Sequence, residues 1–441
     1  MPTALWWFIG TLIVYLLSGS GQFMHFNYHL HQAEAFLQGR LDIGTPPSWL
    51  NELAWKDGKA HVYFGPAPSV LLVPLAAIWH LNLDLGLVSK LVGAAAVAVA
   101  HLTLRRLPLA PGVTHGLTFL YGFGTVAWWC ASHGNSWVYA HLVANLFLWL
   151  SLHELAGPRR GALVSLWFCL AILSREAIVV ASPAILALLL PGPGKAKRVG
   201  GAALMAALLA GCDMAFNMAR FGHPLDSGYG AGNEAWGAIH GNYQHGPFSL
   251  HHLIRMLPAY IWRGPDFHAG WPPVSVTDHG LGLFWTTPAF LALLPAARLL
   301  LGRMGWLPAS AVATPAPEPV VAPHAWLVPA GEGNRVHASA AAPLATDNPE
   351  PPVDPDSAAR LLTWARWAWL ALLPSAALYL VYFGDGWRQF GARYSLDYTP
   401  WLIVALACAW PRRLPAWTLG LGIVAAVINL WGVAWWLVHR W

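Results

Sequence analysis

The stretch HFNYHLHQAEAFLQGRLD, His25 to Asp42, places three histidines, one glutamate and a closing aspartate directly after an apolar run, in a chain that is only 10% charged. Such side chains take up and release protons: a carboxylate serves as a general base, and histidine titrates near neutral pH. On a helix, Asn27, His31, Glu34 and Gln38 share one stripe, while Phe26, Leu30, Ala33 and Leu37 share the next. That pattern predicts a helix lying along a membrane surface with its polar stripe turned to whatever sits above, stopped by Gly39 and Thr45-Pro46-Pro47. His25 and His29 have the spacing of helical metal ligands, but no HExxH-type motif supports them, so a divalent metal is not indicated.

A second group of residues suits phosphate. Arginine offers a planar fork of donors and a permanent charge. Arg175 (LSREAIVV), Arg220 (ARFGHP) and Arg393 (GARYSLDY) each fall at the end of an apolar run, and Lys59 sits in DGKAHVYF. Each alone also fits a residue that merely snorkels to an interface. In RFGHPLDSGYG, a turn-rich stretch, Asp226 and Tyr229 are placed to touch a ligand or to shape the turn. There is no P-loop or dinucleotide fingerprint.

The elements that must position these groups follow from composition. The chain has 441 residues, is 56% hydrophobic and contains 27 tryptophans, with a mean hydropathy of +0.47. Repeated apolar runs without strand-like alternation predict an all-α polytopic membrane protein. Eleven spans are expected, at about 4–20, 84–104, 112–131, 137–153, 160–174, 176–192, 199–219, 280–302, 362–384, 398–411 and 414–438. Pro68 to His80 is too short to cross and reads as an interfacial or re-entrant helix. With that choice, Arg105/Arg106, Arg159/Arg160, Lys195/Lys197/Arg198, Arg298/Arg303 and Arg412/Arg413 share one side, the cytoplasm by the positive-inside rule.

The long loops 20–83 and 220–279 are then external, within an N-terminal module 1–303. A Pro/Ala-rich stretch, 304–358, reads as a disordered cytoplasmic linker before C-terminal helices in 359–441. The first run lacks a basic flank and a cleavage site, so a retained span is expected. Cys130, Cys169, Cys212 and Cys408 show no paired spacing, and the charge of +5 is accounted for by cytoplasmic loops rather than nucleic acid.

Five motifs, HFNYHLHQAEAFLQGRLDI, DGKAHVYFGPAPSVLLVPL, RFGHPLDSGY, GLFWTTPAFLALLP and FGARYSLDYTPWLIV, stand in an order that resembles bacterial integral-membrane glycosyltransferases of the GT-C superfamily. Within it, the nearest likeness is to the branch akin to the dolichyl-phosphate-mannose–protein mannosyltransferases. The resemblance implies a GT-C bundle with juxtamembrane helices in the first external loop. It also implies hexosyl or pentosyl transfer, with inversion, from a polyprenyl-phosphate donor to a glycan, lipid or protein acceptor outside the bacterial cytoplasmic membrane. Where that family carries a catalytic aspartate after the first span, this chain has His25, Phe26 and Asn27. The base role then passes to Glu34, with Asp42 next and His25 as a histidine alternative. Arg393 with Tyr394 resembles the family's donor-site pair. Arg175, Arg393, Lys59 and Arg220 are the expected phosphate contacts, and Tyr63, Asp226, Tyr229, Tyr394 and Asp397 the expected sugar or acceptor contacts. The alternatives are a carrier or flippase for a lipid-linked sugar and an inactive GT-C-like scaffold; few charges at span centres, chiefly Lys90 and Asp213, speak against the carrier.

Overall fold

The computed structural model describes residues 2–19, 26–232, 244–307 and 354–438. His25 and residues 308–353 of the expected linker lie outside the described residues. The fold is mostly helical. Helix α1 (Pro2–Ser18) is followed by α2 (Tyr28–Leu37), a hairpin of β1 (Ala54–Lys56) and β2 (Lys59–His61), and α3 (Ala67–Trp79). Next come α4 (Leu85–Leu104), α5 (Pro111–Phe123), α6 (Ala127–His133), α7 (Ser136–Ala156), α8 (Gly161–Ile172), α9 (Ser182–Leu189) and α10 (Lys195–Phe221). After α11 (Leu253–Ile261) and the short strand pair β3 (Asp266–Phe267) and β4 (Val274–Ser275) come α12 (Leu283–Thr286) and α13 (Leu293–Arg303). The chain finishes with α14 (Pro355–Leu380), α15 (Thr399–Ala409) and α16 (Ala416–Val438).

Local chemistry sets several of these boundaries. Asp84 starts α4 by accepting from the Gly86 amide at 2.8 Å, and Asn135 starts α7 by accepting from Val138 at 3.1 Å. Asp354 does the same for α14, accepting from Ser357 at 2.9 Å, so the C-terminal helices begin before the expected boundary at 359. The expectation of eleven spans needs correction. Among the described residues three helices, α4, α10 and α16, are long and apolar enough to cross a membrane. Of the other runs, α7 (21 residues) and α14 (26 residues) are continuous but not apolar enough, α1 is unbroken but has 17 residues, and several others are interrupted or short. The run 112–131 breaks at Gly124 into α5 and α6, and 280–302 breaks at Thr287-Pro288, where proline disfavours a helical predecessor. The run at 398–411 yields only the 11-residue α15. Helix α3, at 13 residues, is shorter than a span, as expected.

The core lies between α4, α7, α14 and α15, with Trp149, Trp364 and Trp401 fully buried and every residue of α15 buried. One end of the bundle is tied by arginines that donate to carbonyls at helix ends. Arg360 reaches Arg106 and Ala156, Arg303 reaches Cys408 and Ala409, and Arg106 reaches His153. Arg198 gathers the carbonyls of Leu189, Leu190, Pro191, Gly192 and Pro193. These contacts satisfy acceptors that a helix terminus leaves open.

Helices α8 and α10 meet so closely that a Cβ on Gly161 would overlap the Arg198 carbonyl, whereas Gly200 faces open space. Gly161→Ala is therefore expected to destabilise the protein by roughly 1–3 kcal/mol. Gly200→Ala should be neutral or stabilising, and thermal unfolding of the two variants in detergent separates them.

Candidate active site

A cavity of about 380 Å³ opens where the N-terminal end of α7 meets the C-terminal ends of α8, α10 and α14 and the segments flanking β2 and α15. Each wall has a local reason to be there. Gly65 lets the chain after β2 run against the end of α8, since a Cβ there would overlap the Leu173 carbonyl, and the Ala67 amide donates to that same carbonyl at 3.2 Å. This places Tyr63 and Phe64 in the lining. The turn after α8 supplies Arg175 and Glu176, the turn after α10 supplies Tyr229, and the end of α14 supplies Tyr379 and Tyr382. The Tyr229 and Tyr382 hydroxyls share a hydrogen bond of 2.9 Å.

Two arginines face one aromatic ring. The guanidinium carbons of Arg175 and Arg393 both lie 5.2 Å from the centre of Tyr394, and Arg393 is also 5.7 Å from that of Trp137. These distances are within cation–π range. Arg175 is held by Asp397, its Nε 3.2 Å from Oδ2. Arg393 donates to the Trp387 carbonyl at 2.8 Å and has no carboxylate partner among the described residues. Its Nε is buried without a hydrogen-bond partner. Two carboxylates share the lining: Glu52, which accepts from the Trp137 indole at 3.0 Å, and Glu176, which has no hydrogen-bond or ion-pair partner among the described residues.

Asp397 is an anchor rather than a ligand contact. Its side chain is 1% exposed and is absent from the lining. It accepts from His141 Nδ1 at 2.6 Å, from Arg175 and, through a short bond, from the Tyr379 hydroxyl. Burial pushes its carboxyl upward, but Arg175 and then His141 and Tyr379 outweigh this and hold it at about 2.

The loop wall from Phe383 to Trp387 is fastened from outside. Asp385 pairs with Arg263 and His279 at 3.1 Å each and with Arg255 at 4.0 Å. Arg255 also donates to the Phe383 carbonyl.

The sequence-based candidates divide sharply. Arg175, Arg393, Tyr63, Tyr229 and Tyr394 come together in the cavity. Glu34 and Asp42 do not: Glu34 accepts from Gln38 at 3.1 Å and meets His80 at 3.2 Å, and Asp42 pairs with Arg40 and accepts from the Gly44 amide. Lys59 is exposed at the tip of the hairpin. Arg220 donates to the Val62 carbonyl at 2.8 Å, which steadies the approach to Tyr63 from behind, and Asp226 shapes a turn by accepting from Gly228 at 2.9 Å. On α2 the side chain that lines the cavity is His29, not Glu34, because α3 covers the face carrying His29 and Gln32 through Ser69. Glu52, Glu176, His29 and His141 are not among the site residues that the sequence singles out. Glu52 and Glu176 carry a signal as two of the few acids in segments expected to be external, but nothing in their spacing points to a shared cavity.

No family model, curated protein or solved structure matches this chain in the comparisons made.

Two outcomes test this geometry. Asp397→Asn removes the charge that compensates Arg175 and is expected to cost about 3–5 kcal/mol, read as a lower melting temperature. The second concerns pH. The hydrogen bond to Asp385 raises His279 above its ordinary value, so the pairing is complete below about pH 6.5 and is lost as pH rises through the raised value. For Asp385, burial acts upward but His279, Arg263 and Arg255 hold it low, so it stays ionised in that window. The melting temperature should fall as pH rises from about 6 to about 8, and fall less in His279→Asn.

Proposed function

We propose that this chain is an integral-membrane glycosyltransferase of GT-C type that moves a sugar from a polyprenyl-phosphate donor to an acceptor at the external membrane surface. The observation that carries this reading is Arg393, buried in an aromatic cavity beside Arg175 and without a carboxylate partner among the described residues. A phosphate supplies the missing negative charge, and aromatic rings suit a sugar and the first apolar units of its lipid. The motif resemblance points the same way. The membrane setting is supported by α4, α10 and α16, and by the exposed Leu204, Leu208, Met218, Ile423 and Val427 on α10 and α16. The cavity lies opposite the arginine-rich end, which under the positive-inside rule supports an external site.

In the proposed step Glu176 takes the proton of the acceptor hydroxyl, and the hydroxyl oxygen attacks the anomeric carbon. The bond from that carbon to the donor phosphate breaks with its electron pair on the phosphate, where Arg393 and Arg175 receive the charge. A single displacement inverts the configuration. Glu176 replaces Glu34 and Asp42 because it alone of these lines the cavity.

Native mass spectrometry of the purified protein should show a retained polyprenyl phosphate or its sugar derivative, with Arg393→Ala losing it. Glu176→Gln should keep the lipid yet transfer radiolabelled sugar from a polyprenyl-phosphate donor at least about 100-fold more slowly. A wild type that binds no such lipid even after it is added back, or a Glu176→Gln variant of undiminished turnover, would overturn the donor or the base assignment respectively.

A further inference from the structure

Two histidines in the cavity are not used by the step above. His29 comes from α2 and His141 from α7, and both residues are 0% exposed. The Ser136 hydroxyl, at the start of α7, accepts from the His29 amide at 3.0 Å, which fixes the two helices beside one another at this point. In each ring one nitrogen is committed and the other is not.

The committed nitrogen of His29 can be assigned by following its hydrogen bonds to their end. The Val62 carbonyl can only accept, so the Gln32 amide nitrogen donates to it at 3.4 Å, and Gln32 Oε1 is left facing Ser69. That oxygen also only accepts, so the Ser69 hydroxyl gives its proton to Gln32 at 2.6 Å. Ser69 then accepts from His29 Nδ1 at 2.8 Å, and Nδ1 carries the proton. For His141 the chain has one link. Asp397 is ionised and only accepts, so the proton between them, across 2.6 Å, belongs to His141 Nδ1.

Both rings therefore present Nε2 as a bare lone pair, and neither Nε2 has a hydrogen-bond partner. Burial, then the charge of Arg175, pulls His29 down to about 3, so it stays a neutral acceptor across the physiological range. A buried acceptor left unpaired is costly, and a ligand that donates to it removes that cost.

We propose that His29 and His141 form a paired acceptor subsite that reads two hydroxyl groups of the bound ligand, so that the ligand's ring carries free hydroxyls, not carboxylate or acyl oxygens, at the positions meeting Nε2. Ser69, through its bond to Nδ1, is the positioning residue for His29. This inference rests on the reading that a lipid-linked sugar occupies the cavity. It assigns the histidines to the sugar and leaves the phosphate to Arg393.

The test is titration by native mass spectrometry with undecaprenyl phosphate and with undecaprenyl-phosphate-linked glucose, mannose and arabinose, using the tightest of the three sugars for the variants. His29→Asn and His141→Asn keep an amide donor for Ser69 or Asp397 but end short of the Nε2 position. Each should weaken the sugar-bearing lipid by about two- to tenfold and leave the bare lipid unchanged. Ser69→Ala should show the same sugar-selective loss, which a merely structural role would not produce, while Arg393→Ala should weaken both lipids. Melting temperatures near that of the wild type confirm that the asparagine variants are folded. Equal effects of the histidine variants on both lipids, no effect on either, or a wild type that binds no sugar-bearing lipid better than the bare one would overturn the inference. A wild type that binds neither lipid would instead remove the functional reading beneath it.

Discussion

Asp397 holds a negative charge where almost no water reaches it, and an unpaired charge in such a place would be strongly destabilising. Its compensation comes from three separate elements: His141 on α7, Arg175 in the turn after α8, and Tyr379 near the end of α14. Those helix ends cannot separate without exposing the carboxylate to a poorer environment. Much of the cavity follows from this. Arg175 is aimed by Asp397, Tyr379 is drawn to the same carboxylate, and Tyr394, from the same turn as Asp397, lies under both guanidiniums.

The two ends of the bundle use arginine in opposite ways. At one end Arg106, Arg198, Arg303 and Arg360 donate to backbone carbonyls at helix termini. At the other end Arg175 donates to Asp397 and Arg393 to the Trp387 carbonyl, and both lie along aromatic rings facing a cavity. Residue type is the same at both ends. What differs is whether open carbonyls lie within reach of the guanidinium.

The cavity also separates groups by the protonation they can hold. Asp397 is kept ionised by its partners, and His29 is kept neutral by burial and by Arg175. Glu52 is tied to the Trp137 indole, whereas Glu176 stands without such a partner among the described residues. A site with a fixed anion, fixed acceptors and a freer carboxylate divides anchoring, recognition and proton transfer among different side chains.

The sequence alone determined the helical, apolar character of the chain and the shortness of the helix beginning near Pro68, and it singled out Arg175, Arg393 and nearby tyrosines that the fold brings into one cavity. Composition and run length act locally, and a guanidinium or phenol carries its chemistry wherever it lies. The apolar runs do not all stay continuous: 280–302 breaks at Pro288 through the local restriction that proline places on Thr287, and 112–131 breaks at Gly124. Helical periodicity put Asn27, His31, Glu34 and Gln38 on one polar stripe, but the helix holds only His31 and Glu34 of these, with the buried Asn27 as its N-cap and Gln38 as its C-cap, and periodicity cannot say which stripe a neighbouring helix will cover. Ser69 on α3 selected the face of His29 and Gln32, and Glu34 turned to His80. Asp397 likewise looked like a ligand contact until its three partners, remote in sequence, closed around it. Convergence of distant segments is set by packing and charge compensation, and neither is written in the spacing of residues along one segment.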